Sequence, residues 1–199
     1  METLLVGYGT LLYRKSMGRT VGQEAAAEKE MMPVVVHGYR RLCNLRPTHY
    51  QPSLRLSPEP LEAGALNVEP ADGASFNGVA FRVTADELAA LDERERYYLR
   101  RTAPVYAFGT NELLGEAAFY GSDPDAEWIE RDPAKLLPRW EDVIWTRAGA
   151  YAISRDFGRY LDATTFLADG CTLLIDRYRD ALREAGELDP AHSADGAND

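Results

Sequence analysis

Cysteine and histidine are scarce in this chain: Cys43 and Cys171, with His37, His49 and His192, are all it has. Two distant thiols make neither a metal knuckle nor a disulfide framework, and scattered imidazoles lack metal-ligand spacing. A reducing, cytoplasmic setting fits that usage. Basic residues are also in the minority, 22 Lys and Arg against 32 Asp and Glu, for a formal charge of −10. A nucleic-acid partner would require those few cations on one face; the local basic run Arg94 to Arg101 carries its own glutamate, so no nucleic-acid partner is expected. Apolar runs long enough to span a membrane are absent, and the opening Met-Glu-Thr-Leu-Leu-Val has no basic stretch, apolar core or cleavage site of a signal peptide. No membrane partner is expected.

What is present suits a compact domain. The 199 residues are 45% hydrophobic and 27% charged, enough to enclose one core. One domain is expected over residues 1–185, followed by a polar, Ala/Asp-rich tail, 186–199, expected to be disordered.

Along the chain, Leu4–Val6 predicts a buried strand ending at Gly7-Tyr8-Gly9-Thr10. Residues 16–31 fit a loop or a short helix, and Val34–Val36 reads as a strand. Four prolines (47, 52, 58, 60) mark residues 44–62 as an irregular excursion. Gly64–Val68 and Phe76–Val83 predict two strands joined by a turn at Pro70-Ala71-Asp72-Gly73. Thr84 with Glu87 forms a capping box that starts a helix at Ala85. Pro104–Phe108 and Gly115–Tyr120 predict another hairpin, and Pro133–Thr146 a helical segment. Ser154 caps the segment around Phe157, Tyr160 and Leu161. Leu174, Tyr178 and Leu182 mark an amphipathic helix from near Gly170. Strands first and helices last argue for an α+β fold, read as a small curved sheet or barrel with flanking helices.

Few motifs carry chemistry. Gly7-x-Gly9 follows a strand, but Leu12 stands where a dinucleotide fingerprint needs its third glycine. Most such glycine pairs only make tight turns; a functional one exposes amides to an anion or oxyanion. Glu95 falls four residues after Leu91, on the apolar face of the helix, where burial would raise its pKa into a range useful for proton transfer. The competing reading pairs it with Arg94, Arg96 or Arg101 on a solvated helix end. Asp92, Glu93 and Glu95 point in different directions and cannot flank one glycosidic bond. No histidine is tied to Cys43 or Cys171, so cysteine catalysis has no support.

Taken together, these motifs resemble the gamma-glutamylcyclotransferase-like family over roughly residues 4 to 161. The resemblance rests on Tyr8-Gly9-Thr10-Leu11, Gly38-Tyr39-Arg40 and the Leu-Asp-x-x-Glu-x-x-Tyr segment from Leu91 to Tyr98. Pro138-Arg139-Trp140, Ile144, Ala148-Gly149-Ala150, Gly158 and Tyr160-Leu161 extend it more loosely, with Trp140 where the family often has Tyr. It implies a small mixed β-barrel with flanking helices. It also implies Glu95 as the catalytic acid/base, with Tyr8, Gly9, Thr10, Leu11 and Tyr98 around the substrate. The implied reaction is cyclisation of a small gamma-glutamyl compound to 5-oxoproline, which needs no cofactor. A non-catalytic binding or interaction domain on the same scaffold is the alternative, because fold alone does not establish activity.

Overall fold

The computed structural model describes residues 2–46 and 62–188. Most of the proline-rich stretch, and the 186–199 tail beyond residue 188, lie outside the described residues.

Strand β1 (Thr3–Gly7) leads through a 3-10 turn (Thr10–Leu12) into helices α1 (Arg14–Val21) and α2 (Gln23–Glu28). The segment left open between loop and helix is thus helical over most of its length. Two long strands follow, β2 (Met32–Leu45) and β3 (Glu62–Val83), then α3 (Ala85–Arg94), β4 (Leu99–Ala107) and β5 (Leu113–Gly121). The C-terminal third holds β6 (Leu136–Pro138), α4 (Trp140–Ile153), α5 (Arg155–Ala163), β7 (Thr165–Leu167) and α6 (Leu174–Glu184).

Strands β1, β3, β2, β4 and β5 close on themselves in that order. The β1–β5 contact, Leu5 opposite Ala118, is parallel and the other pairs in the ring are antiparallel. The expected mixed barrel with flanking helices is therefore the architecture. Beyond the ring, the far halves of β2 and β3 continue as a ribbon, edged by β7 on β2 and β6 on β3.

Alternation along the strands sorts side chains into two layers. Val6, Val34, Val36, Phe76, Val105 and Phe119 pack together as the barrel filling. Their neighbours Leu5, Phe81 and Ala118 face the other way, onto Met17 of α1, Leu91 of α3, Ala150 of α4 and Phe157 of α5. Burying each larger apolar side chain contributes about 1.5–3 kcal/mol, so the helices are held by this outer layer. Leu174, Tyr178 and Leu182 of α6 pack with Cys43, Leu137 and Trp140 in a third cluster.

Three elements differ from the sequence reading. Gly64–Val68 and Phe76–Val83 do not pair with each other; both belong to β3 and both pair with β2. The turn-like Pro70–Gly73 stretch instead forms a bulge, because the register jumps from His37–Ser75 to Tyr39–Pro70. Gly38 and Gly73, at φ +82° and +73°, take the left-handed conformations this requires. The helix expected from Pro133 starts only at Trp140: Pro138 holds the preceding residue extended, and Leu136–Pro138 pairs with Glu62–Gly64. Helix α6 starts at Leu174 rather than near Gly170, since Gly170 is left-handed and Asp169 accepts from the Cys171 and Thr172 amides in a turn. Among the described residues no helix is long and apolar enough to cross a membrane.

Candidate active site

Helix α3 carries the acid to its place. Thr84 Oγ1 accepts from the Glu87 amide at 3.3 Å and Glu87 Oε2 accepts from the Thr84 amide at 2.8 Å, so the box read from sequence is complete. Leu91, fully buried, pins the helix to the outer core. Glu95 is its C-cap: its amide still donates to the Leu91 carbonyl at 2.8 Å, and its own carbonyl accepts from the Tyr98 amide at 2.8 Å. The chain turns away at this residue while the side chain, 18% exposed, stays inside.

The turn after β1 is built from below. A Cβ on Gly7 would stand 2.7 Å from Leu11 Cβ, so the strand can fold back this tightly only with glycine there. The Leu12 amide donates to the Gly9 carbonyl at 2.9 Å and Leu11 and Leu12 are buried, which roots the turn in the helix-facing core. As the first residues of a 3-10 turn, Thr10 and Leu11 present amides that have no acceptor within it. The buried Tyr8 hydroxyl donates to the Tyr120 carbonyl at 2.6 Å, and its ring meets Phe76 edge-on.

The two pieces meet across one cavity of about 200 Å³, lined by all of Tyr8, Gly9, Thr10, Leu11, Glu95 and Tyr98. Gly38-Tyr39-Arg40 is not in its wall: Tyr39 packs edge-on against Phe119, and Arg40 donates to the Gly170 carbonyl at 2.8 Å. The Tyr98 hydroxyl donates to the Leu66 carbonyl at 2.7 Å, which fixes the ring as part of the wall.

Burial pushes the Glu95 carboxyl above its ordinary pKa, and the Arg94 guanidinium, with Nε 3.1 Å from Oε1, opposes part of that rise. Glu95 thus faces a cavity and has Arg94 as a partner, but it is not on the solvated helix end of the competing reading. Burial, and then the Glu95 charge, raise the Tyr8 phenol, which stays protonated and a donor. Tyr120 is raised by burial and by Asp92, whose carboxylate accepts its hydroxyl at 2.9 Å.

Four wall or support residues carried no signal in the sequence. Tyr120 and Asp142 reach the cavity from β5 and α4. Arg94, read only as a charge partner, donates from Nη2 to Thr10 Oγ1 at 3.0 Å and from Nη1 to Thr20 Oγ1 at 2.9 Å. Arg41 is fully buried and spreads its donors over neutral acceptors: the Tyr8 and Asn77 carbonyls at 3.2 and 2.8 Å, Asn77 Oδ1 at 2.9 Å and Thr165 Oγ1 at 2.8 Å. Burial draws its pKa down to about 10, which leaves it charged at neutral pH.

A protein-family model described as gamma-glutamyl cyclotransferase, AIG2-like, matches residues 5–142. The fold is shared with a solved structure of a gamma-glutamyl cyclotransferase, 13% identical with a TM-score of 0.60, over 92% of this chain and 99% of that one. An uncharacterized human protein is likewise 13% identical with a TM-score of 0.60, over 82% and 88% of the two chains. YkqA from Bacillus subtilis is 17% identical with a TM-score of 0.58, over 81% of this chain and 53% of its own. At such identities these likenesses are of fold. No curated protein matches the chain in sequence. The match of the family model to residues 5–142, together with this barrel, makes the chain a member of the gamma-glutamyl cyclotransferase, AIG2-like family.

Proposed function

We propose that the chain is a gamma-glutamyl cyclotransferase, with Glu95 as its general acid/base. The observation that carries this reading is the single cavity shared by the Glu95 carboxylate and the Tyr8–Leu11 turn. A gamma-glutamyl group held folded there brings its α-amine to its own γ-carbonyl. Such an intramolecular approach is worth about 7–11 kcal/mol of barrier. The amine nitrogen bonds to the carbonyl carbon, the oxygen gains charge, and the amides of Thr10 and Leu11, without an acceptor inside their 3-10 turn, are the donors assigned to hold it.

Glu95 takes the proton lost by the attacking nitrogen and returns it to the departing amine as the original C–N bond breaks. The products are 5-oxoproline and a free amine, and atoms balance without a further reactant. A carboxyl raised by burial suits both halves of this transfer, since it can lose and regain a proton nearer neutrality than an exposed glutamate. Tyr8 and Tyr98, whose hydroxyls are committed to main-chain carbonyls, shape the pocket instead of moving protons.

The test is release of 5-oxoproline, followed by mass spectrometry, from a panel of gamma-glutamyl amines, amino acids and peptides. Glu95→Gln is expected to lower release by about 10²–10⁴-fold, the range for a positioned acid/base, with the fold intact. Unchanged turnover would remove Glu95 from the mechanism. No turnover by the wild type, with thermal stabilisation by one of the panel compounds, would identify a binding domain instead.

A further inference from the structure

We propose that Arg94 is a positioning residue that ties the Tyr8–Leu11 turn, helix α1 and the Glu95 carboxylate into one fixed arrangement. The inference rests on the cyclotransferase reading above and goes beyond it by naming what holds the two halves of the site in register.

A guanidinium has five N–H donors in a rigid fork, and Arg94 has a protein partner for each of its three nitrogens. Nη2 donates to Thr10 Oγ1 at 3.0 Å and to Ser16 Oγ at 3.3 Å. Nη1 donates to the Ser16 carbonyl at 3.1 Å and to Thr20 Oγ1 at 2.9 Å. Nε lies 3.1 Å from Glu95 Oε1. Although Arg94 lines the cavity, both Nη nitrogens of its fork are therefore engaged by the protein, and its Nε faces Glu95. Its Nη partners lie 74 to 84 positions away in sequence, Thr10 on the turn that lines the cavity with Glu95, and Ser16 and Thr20 on α1. The side chain is 25% exposed, so these bonds form at a partly dry wall where a charged donor gains most.

The same contact acts on the proton. Burial disfavours the Glu95 charge; among the described residues the buried Tyr8 from the turn and Tyr120 from β5 face it, and Asp142 from α4 lines the same cavity. Arg94 is the cation that lowers the Glu95 pKa against burial. Without it, more of Glu95 would be protonated near neutrality and unable to accept the amine proton.

Lysine keeps the charge but cannot bridge Thr10, Thr20 and Glu95 at once; methionine removes both charge and bridge. The experiment compares wild type, Arg94→Lys and Arg94→Met. Amide exchange over the segments 8–13 and 91–98, read by mass spectrometry, reports the tether without any substrate. Both segments are expected to exchange faster in both variants. The ¹³C titration of the Glu95 carboxyl, assigned with Glu95→Gln, is expected to move to higher pH in Arg94→Met and to remain near wild type in Arg94→Lys. On the most active panel compound, kcat is expected to fall by roughly 100-fold in Arg94→Met, as for a catalytic group misplaced by about 1 Å, with KM little changed. The acidic limb of its pH profile should shift upward.

Wild-type exchange in both variants, or a rise in KM alone, would overturn the proposal. Should the wild type release no 5-oxoproline, the cyclotransferase reading falls, while exchange and carboxyl titration still decide the role of Arg94. Should Arg94→Met not fold, the milder Arg94→Lys carries the exchange and kcat comparisons.

Discussion

Gly149 of α4 lies against the main chain of Leu12 so closely that a Cβ at position 149 would stand 2.7 Å from the Leu12 carbonyl. The helix thereby clamps the back of the turn whose front, Tyr8–Leu11, lines the cavity. Backbone cannot swing aside as a side-chain end can, so an added methyl must move either the helix or the turn. Gly149→Ala is expected to cost about 1–3 kcal/mol through overpacking, set against the gain of about 1 kcal/mol that alanine brings to a helix interior. The larger effect should be on catalysis, with 5-oxoproline release reduced more than tenfold. Wild-type release from this variant would mean that the position of the turn does not matter to the chemistry.

Arg41 holds the same turn from beneath. Its Nη1 shares itself between the Tyr8 and Asn77 carbonyls, and among the described residues no carboxylate is hydrogen-bonded to it. Two effects compete on replacing it: relief of a buried charge stabilises, while acceptors left dry and unpaired cost about 1–3 kcal/mol each. With six oxygens on the turn, β3, α5, β7 and the residue between those last two losing this donor, the second should win. Arg41→Met is expected to lose about 3 kcal/mol or more in urea unfolding, and Arg41→Lys to recover only part, having fewer donors and no fork. A methionine variant as stable as wild type would show that desolvation dominates.

How much of this was readable in advance follows from the range of the interactions. The start of α3 is legible because Thr84 and Glu87 satisfy each other's amides within one turn, and the inward direction of Glu95 follows from its spacing to Leu91. The turn at Tyr8–Leu11 is legible for the same local reason, the glycine at position 7. The continuity of β3 is not, because its bulge is imposed by pairing to β2, where Gly38 supplies the matching kink. Nor could the sequence show that Arg94 bonds Thr10 and Ser16, or that a charged Arg41 is wholly buried: both depend on partners brought in by barrel closure. The family motifs marked the two faces of the cavity; the residues joining those faces were invisible until the chain was folded.

Thr84 offers a test of stability separated from chemistry. Its hydroxyl accepts from Glu87, and Glu87 is also paired with Lys29 Nζ at 2.9 Å, so the helix start is fastened to the segment before β2. Thr84→Ala removes the cap and is expected to cost about 1 kcal/mol. For a chain of this size that corresponds to a Tm lower by roughly 2–4 °C in a calorimetric scan. Since Leu91 still anchors the far end of α3, kcat well below the melting range should be unchanged. A loss of kcat alongside the loss of Tm would mean that the cap sets the orientation of Glu95 as well as the stability of its helix.

The raised pKa of Glu95 leaves a mark on stability that needs no substrate to detect. When an acid titrates higher in the folded than in the unfolded chain, the native state holds the extra proton between the two values, so stability falls as pH rises through that window. Below the unfolded value, near 4.5 for glutamate, both states carry the proton and nothing is lost. Glutamine imitates the protonated form at every pH. Glu95→Gln should therefore match wild type at acidic pH, become the more stable protein as pH rises from the unfolded value through the folded one, and keep a constant advantage above it. Other acids, among them Glu87 and Glu130 with lowered pKa values, make the curves of both proteins fall on acidification, but they cancel in the difference. Urea midpoints for the two proteins across a pH series measure that difference directly. If it were flat, Glu95 would titrate as an exposed glutamate does; if wild type gained on the variant with rising pH, the contact with Arg94 would outweigh burial, and the acid would be too firmly ionised to return a proton to the departing amine.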